Sequence, residues 1–294
     1  MSATFILSLD TEIAWGTDAW DLPRFAACFD GYRPLVRRLL DLLERYEVAA
    51  TWAVVGHLFL PPGDPRAHPR TPTAWYHAPE VIEWIRGART LHEIGTHTFS
   101  HVYTRESSTT RDVWLAELRA CAELHRQHGL PLRSLVFPRN QVAYLDTLPE
   151  VGIRAYRGEE RSWYRGLPAR PRRAAHLLDR ALGLPPPTYA LDMLRVNAQL
   201  VNLPASQFLM AYDGLRGRIP TASRVRQARL GLAQAVRRGH LYHLWFHPFN
   251  LGTSPAMFDA LEAILREVAA LRAAGQLRVM TMQSAAHELL GGAP

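Results

Sequence analysis

The sequence predicts an α/β fold of parallel strands wrapped into a barrel, whole or incomplete, and three observations carry that expectation. Seven short apolar runs of β character recur, at 5–9, 49–55, 93–96, 134–137, 154–156, 241–246 and 278–280. Amphipathic helical stretches lie between them, and such alternation favours parallel pairing. No repeat, low-complexity tract or Gly/Ser linker divides the 294 residues. One barrel domain over 1–294 is therefore expected, with the irregular segment 158–220 forming a cap or insertion.

The helices follow from their periodicity and their ends. Residues 31–46 place Leu35, Leu39, Leu42, Leu43 and Tyr46 on one stripe. Residues 110–128 repeat Trp114, Leu118, Cys121 and His125 at the same spacing and stop at Gly129. In 255–274, Ser254 is the expected N-cap and Pro255 the first helical residue. Phe258, Leu261, Leu265, Val268 and Leu271 form its buried stripe before Gly275. Residues 221–238 close on Gly239 in the same way.

Composition excludes several classes. With 48% hydrophobic and 21% charged residues the chain is an ordinary globular one, not disordered, collagenous or disulfide-built. Cys28 and Cys121 are too few for a disulfide framework. The first ten residues lack the basic start and long apolar run of a signal peptide. No stretch approaches the roughly 20 apolar residues that span a bilayer, so a soluble cytoplasmic protein is expected. The net charge is +7 and every basic residue is arginine. Segment 154–180 holds eight arginines against Glu159, Glu160 and Asp179, and segment 216–238 holds seven with no acid. Arginine favours bidentate contacts to phosphate and carboxylate, so these segments are candidates to meet an anionic partner, or are solvated helix faces.

In barrels of parallel strands the chemistry sits at the strand C-termini, and four of the seven strands end in reactive groups. The first ends Asp10-Thr11-Glu12; the third runs into His97-Thr98-Phe99-Ser100-His101; the fourth ends Arg139-Asn140; the sixth ends at His247. Two histidines four apart can point the same way on a helical turn, and one carboxylate completes a three-ligand set for a divalent ion. Asp10 and Glu12 share a face of an extended strand, so one can bind the ion and the other take a proton. His247 suits a general acid. Arg139 is placed either to pair with Asp10 or to bind substrate.

In this order the motifs resemble the polysaccharide deacetylase family (carbohydrate esterase family four, the NodB homology domain). They span the chain from Asp10 through His97–His101 and Arg139 to His247. The resemblance implies a distorted (β/α)7-type barrel and a metal-dependent hydrolase that removes acetyl groups from sugars, metal-bound water attacking the acyl carbon. It implies Asp10 as base, His247 as acid, Arg139 as tether of the base, and Glu12, His97 and His101 as ligands of a divalent ion, expected to be zinc. The family's usual first motif is Asp-Asp, whereas here Thr11 follows Asp10; Asp10-Thr11-Glu12 looks like the branch with the metal carboxylate two residues after the base.

Substrate contacts are expected from Trp75 and Tyr76 in the long loop 61–79, from Trp163 in the cap and from Asn140. The expected substrate is an acetylated sugar or glycan precursor, a phosphate-linked one among the candidates, with nucleic acid disfavoured. Two alternatives stay open: a metal-independent amidohydrolase on a non-sugar amide, and a non-catalytic arginine-rich binding protein.

Overall fold

A computed structural model describes residues 2–292. The strands are β1 (Ala3–Thr11), β2 (Thr51–Val54), β3 (Glu93–Thr96), β4 (Ser134–Val136), β5 (Ala155–Arg157), β6 (Val201–Asn202), β7 (Gln207–Phe208), β8 (Leu241–Phe246) and β9 (Leu277–Met280). The helices are α1 (Leu22–Asp30), α2 (Tyr32–Arg45), α3 (Pro79–Arg86), α4 (Arg111–Gln127), α5 (Ala169–Leu182), α6 (Thr221–Arg238), α7 (Pro255–Ala273) and α8 (Met282–Leu289). All strand pairings are parallel, in the order β6-β5-β4-β3-β2-β1-β8-β7, and β9 joins the N-terminal half of β1.

The barrel closes through one extended segment. Val201, Leu203 and Ala205 donate backbone hydrogen bonds to Arg154, Tyr156 and Gly158 on the β5 side. Ser206 and Leu209 then donate to His243 and Trp245 on the β8 side. Residues 201–209 thus act as the seventh strand, bent between two partners. Each half is only two residues long by ladder pairing, which is why no apolar run announces it.

Side-chain alternation divides the strands into an outer and an inner set. Phe5, Leu7 and Leu9 face the helices within the main core, alongside Leu39, Leu43, Leu261 and Leu265 from α2 and α7. Each such side chain contributes about 1.5–3 kcal/mol on full burial. Inside the barrel, Ile6, Ala53, Val136, Val201 and Leu203 make an apolar plug sealed by Met282, Ala285 and Ala286 of α8. Above it the interior turns polar, and the polar end is the C-terminal end of the strands.

The expected helices stand: Ser254 caps α7 by accepting from the N–H of Ala256, and Gly239 ends α6 in the left-handed region at φ 66°. The segment 158–220 contains α5 as well as β6 and β7. The arginines and Pro171 of α5 hide its helical period, although a proline is tolerated in a first turn. Among the described residues, no helix is long and apolar enough to cross a membrane.

Candidate active site

The polar mouth of the barrel begins with Ser8 and Asp10, which point inward from β1. Asp10 is gripped on both oxygens by Arg157 at the end of β5, at 2.5 and 2.7 Å. Arg157 is wholly buried, lies 4.0 Å over the Trp245 ring and also donates to Ser8 Oγ. Behind it the network continues: Ser8 donates to His243 Nε2 at 2.9 Å, and His243 Nδ1 donates to the Leu203 carbonyl. Burial and the neighbouring guanidinium push His243 down to about 3, so this ring is neutral. Burial alone would raise the Asp10 carboxyl, but Arg157 outweighs it and holds the group below its ordinary value.

The expected pairing of Arg139 with Asp10 is not found. Arg139 sits in a left-handed turn (φ 50°) after β4, half-exposed, bonded to Asp18 at 2.8 Å and stacked over Tyr103. A turn residue at the rim cannot reach the interior, whereas the end of β5 already faces it.

Glu12, just past β1, meets both histidines that follow β3. Glu12 Oε2 lies 3.2 Å from His97 Nε2 and 2.8 Å from His101 Nε2. One potential ligand atom from each residue falls within 4.8 Å of the others, and all three side chains are buried. The convergence comes from a bend rather than the helical turn expected: Thr98 and His101 take φ of 66° and 62°. Such values are uncommon for a β-branched residue. The loop after Glu12 folds back through Ile13 (φ 49°), and a Cβ on Gly16 would lie 2.5 Å from the Glu12 carboxylate oxygens.

The donor set fits a cation. His97 Nδ1 lies 2.7 Å from the Val136 carbonyl, which can only accept, so Nδ1 carries the hydrogen. In the neutral ring Nε2 then presents a lone pair towards the Glu12 carboxylate. Two acceptors facing each other in a buried pocket call for a positive charge between them. A His–His–carboxylate triad is the donor set that divalent zinc accepts, and a backbone carbonyl behind a ligand histidine is the usual way its orientation is fixed.

His247 follows β8 and completes the mouth. Its Nε2 stands 3.5 Å from Glu12 Oε1 and 3.9 Å from Asp10 Oδ2. Asn250 lies 3.3 Å from its Nδ1, and Phe208, Trp245 and Phe249 surround the ring. A cleft of about 240 Å³ opens here, bounded by Glu12, His247, Phe208, Asp18 and Arg216.

The residues expected to touch substrate are held elsewhere. Trp75 donates to Asp30 on α1 at 2.7 Å and packs beside Phe29. Tyr76 is buried edge-on against Trp15. Trp163 is 62% exposed and bonded to Asp179. None of the three bounds the cleft. Asn140 instead supports the partner of Asp10, its Oδ1 accepting from Arg157 at 3.2 Å. The residues that sequence reasoning missed are Arg157, His243 and Asn250. Arg157 lies one position beyond the apolar run 154–156, and His243 is a polar residue in an otherwise apolar strand, the one signal that could have marked it.

The sequence matches the family model described as polysaccharide deacetylase over residues 24–141, a stretch that holds His97, His101 and Arg139. No curated protein matches the chain. Among solved structures, a protein described as a polysaccharide deacetylase from Mycobacterium smegmatis is 20% identical. It has a TM-score of 0.65, and the match covers 98% of this chain and 90% of that one. One so described from Pseudomonas aeruginosa PAO1 is 13% identical with a TM-score of 0.60, covering 97% and 91%. The Puue allantoinase is 12% identical with a TM-score of 0.62, covering 97% and 89%. At these identities the structural likeness speaks for the shared distorted barrel, and the family model speaks for the sequence. Over residues 24–141 the chain is thus similar in sequence to the polysaccharide deacetylase family, and over nearly its whole length it shares the barrel fold of the solved structures so described.

Proposed function

We propose that the protein is a metal-dependent hydrolase that removes the acetyl group from an acetylated sugar or glycan precursor, in a phosphate-linked form met in the cytoplasm. The observation that carries this reading is the meeting of Glu12, His97 and His101 within one buried cluster, with Asp10 and His247 beside it. Glu12, His97 and His101 would hold a divalent ion, zinc by their chemistry. Such an ion supplies Lewis-acid polarisation of the acyl carbonyl and lowers the pKa of water.

The chain's own groups divide the proton work. Asp10, kept ionised by Arg157, accepts a proton from the attacking water. The carbon–nitrogen bond then breaks, and the departing amine takes a proton from His247 Nε2, while the acetyl carbon leaves as acetate. Arg157 positions the base; Arg139 pairs with Asp18, which bounds the cleft, and not with the base.

The test is acetate release from a panel of N- and O-acetylated sugars, free and phosphate-linked, with zinc, cobalt or manganese supplied and then chelated. Release that depends on the ion is expected. No release from any member with any ion overturns the proposal.

A further inference from the structure

We propose that a second pocket, opening off the catalytic cleft and lined by arginines, binds the phosphate end of the substrate. This deepens the function proposed above and rests on it for the identity of the attached sugar. The pocket, of about 530 Å³, lies between the start of α5 and the turn 213–216. Arg24, Asp213 and Arg216 bound both it and the catalytic cleft, so one ligand can occupy the two at once.

Its charge is what points to an anion. Several arginines of the two rich segments already have work within the fold. Arg157 holds Asp10, Arg165 pairs with Glu159, Arg180 with Glu160, and Arg224 donates to the Met210 and Ala211 carbonyls. The composition of 154–180 and 216–238 therefore overstates the free charge. Arg172, Arg173 and Arg216 are different: all three line this pocket, and none has a carboxylate partner among the described residues. The one acid lining it, Asp213, is already paired with Arg24.

Arg172 and Arg173 also stand near the start of α5, whose first turn holds no acid. Positive charge is unfavourable at that end of a helix, so helix stability does not account for them. Burial, with Arg24 and Arg180 nearby, holds Arg216 below its ordinary value, the mark of a guanidinium short of negative charge. Leu177 and Leu215 give an apolar wall, and Tyr164 bonds His176 at 2.9 Å to close the back.

Three unpaired guanidiniums suit a multiply charged group better than a single carboxylate, because each forms forked bonds to phosphate oxygens. The chemistry recognised is a sugar-linked pyrophosphate, carried either by a nucleoside or by a polyprenyl lipid. A reaction that condenses a phosphorylated acetylated sugar with such a carrier must supply it.

Inorganic pyrophosphate titrated calorimetrically into the full chain is expected to bind, with affinity falling steeply as salt rises. The double variant R172Q/R173Q should weaken binding by about tenfold or more, with an unchanged melting temperature showing that it folds. In turnover, the variant should raise KM for a pyrophosphate-linked N-acetylhexosamine well above any change for the uncharged sugar. A preference for the nucleotide-linked or the lipid-linked arm supports the site and names the source. Pyrophosphate that fails to bind, binds the variant equally well, or leaves the two KM values moving together overturns it. If no sugar releases acetate yet pyrophosphate binding depends on Arg172 and Arg173, the hydrolase reading fails and the anion site stands.

Discussion

Arg157 grips Asp10 with two parallel hydrogen bonds inside the barrel, and neither side chain is exposed to water. The relationship gives Asp10 a partner other than Arg139, the arginine that the sequence offered for it. Replacing Arg157 by leucine leaves a buried carboxylate without its counter-charge, which costs about 3–5 kcal/mol. Arg139→Ala removes a half-exposed pair with Asp18 worth less than about 1 kcal/mol. Denaturant melts of the two variants should differ accordingly; equal losses would mean that Arg157 is not the partner that matters.

The pair Asp10 and His247 is expected to carry proton transfer and not metal binding. Asp10→Asn and His247→Ala should each lower kcat by about 10²–10⁴ while the metal content of the purified protein stays that of the parent. A variant that turns over normally would remove the corresponding role.

Zinc titrated into metal-free protein should show one site, and the heat signal should vanish in His97→Ala and in His101→Ala. Because the ion binds the folded chain, zinc at 100 times its Kd should raise stability by about 2.7 kcal/mol. A melting temperature indifferent to zinc would count against the cluster as a ligand set.

Gly16 gives a subtler test of the same cluster. A methyl group there would lie 2.5 Å from the Glu12 carboxylate oxygens and must displace them. Gly16→Ala should weaken zinc binding by about 10–100-fold, the scale seen when a ligand's support is disturbed, without changing the three ligands themselves. Unaltered affinity would show that the loop yields instead.

Acid should destabilise the fold earlier than carboxylates alone predict. Burial pushes His92, His125 and His176 down to about 4 and His243 to about 3. Their folded values lie below the unfolded value of about 6.5, so the stability they contribute is present above that pH and drains away as pH falls towards 3–4. For the well-buried His125 and His243 the slope reaches at most about 1.4 kcal/mol per pH unit each. His125→Phe, on α4 against Phe59, should flatten the fall in melting temperature between pH 7 and 5; an unchanged profile would exclude the ring as a contributor.

Much of the fold and part of the site could be read before any coordinates. Seven β runs and four helices announced themselves because each buries one periodic face, as the Leu35–Leu39–Leu43 and Leu261–Leu265–Val268 stripes do. The strand-end groups Asp10, Glu12, His97, His101 and His247 were legible because they interrupt apolar runs, and the structure brings them together. Segment 201–209 was not, since its order comes from two neighbouring strands and not from its own pattern. Arg157 escaped for the same reason: its meaning lies in facing Asp10 from 147 residues away, a relation no local spacing records. Trp75, Tyr76 and Trp163 misled because an aromatic beside a loop looks alike whether it waits for a sugar or clamps the loop to Asp30, Trp15 or Asp179.

The bend at residues 201–209 reaches further than closure. The last hydrogen bond behind Asp10 ends on the carbonyl of Leu203, in the stretch where the chain passes from β5 to β8. Asp10 is thus anchored through Arg157, Ser8 and His243 to the seam of the barrel itself. The aim of the Asp10 carboxylate is therefore only as steady as that junction, and any loosening of the seam would slacken the tether before the rest of the molecule gave way.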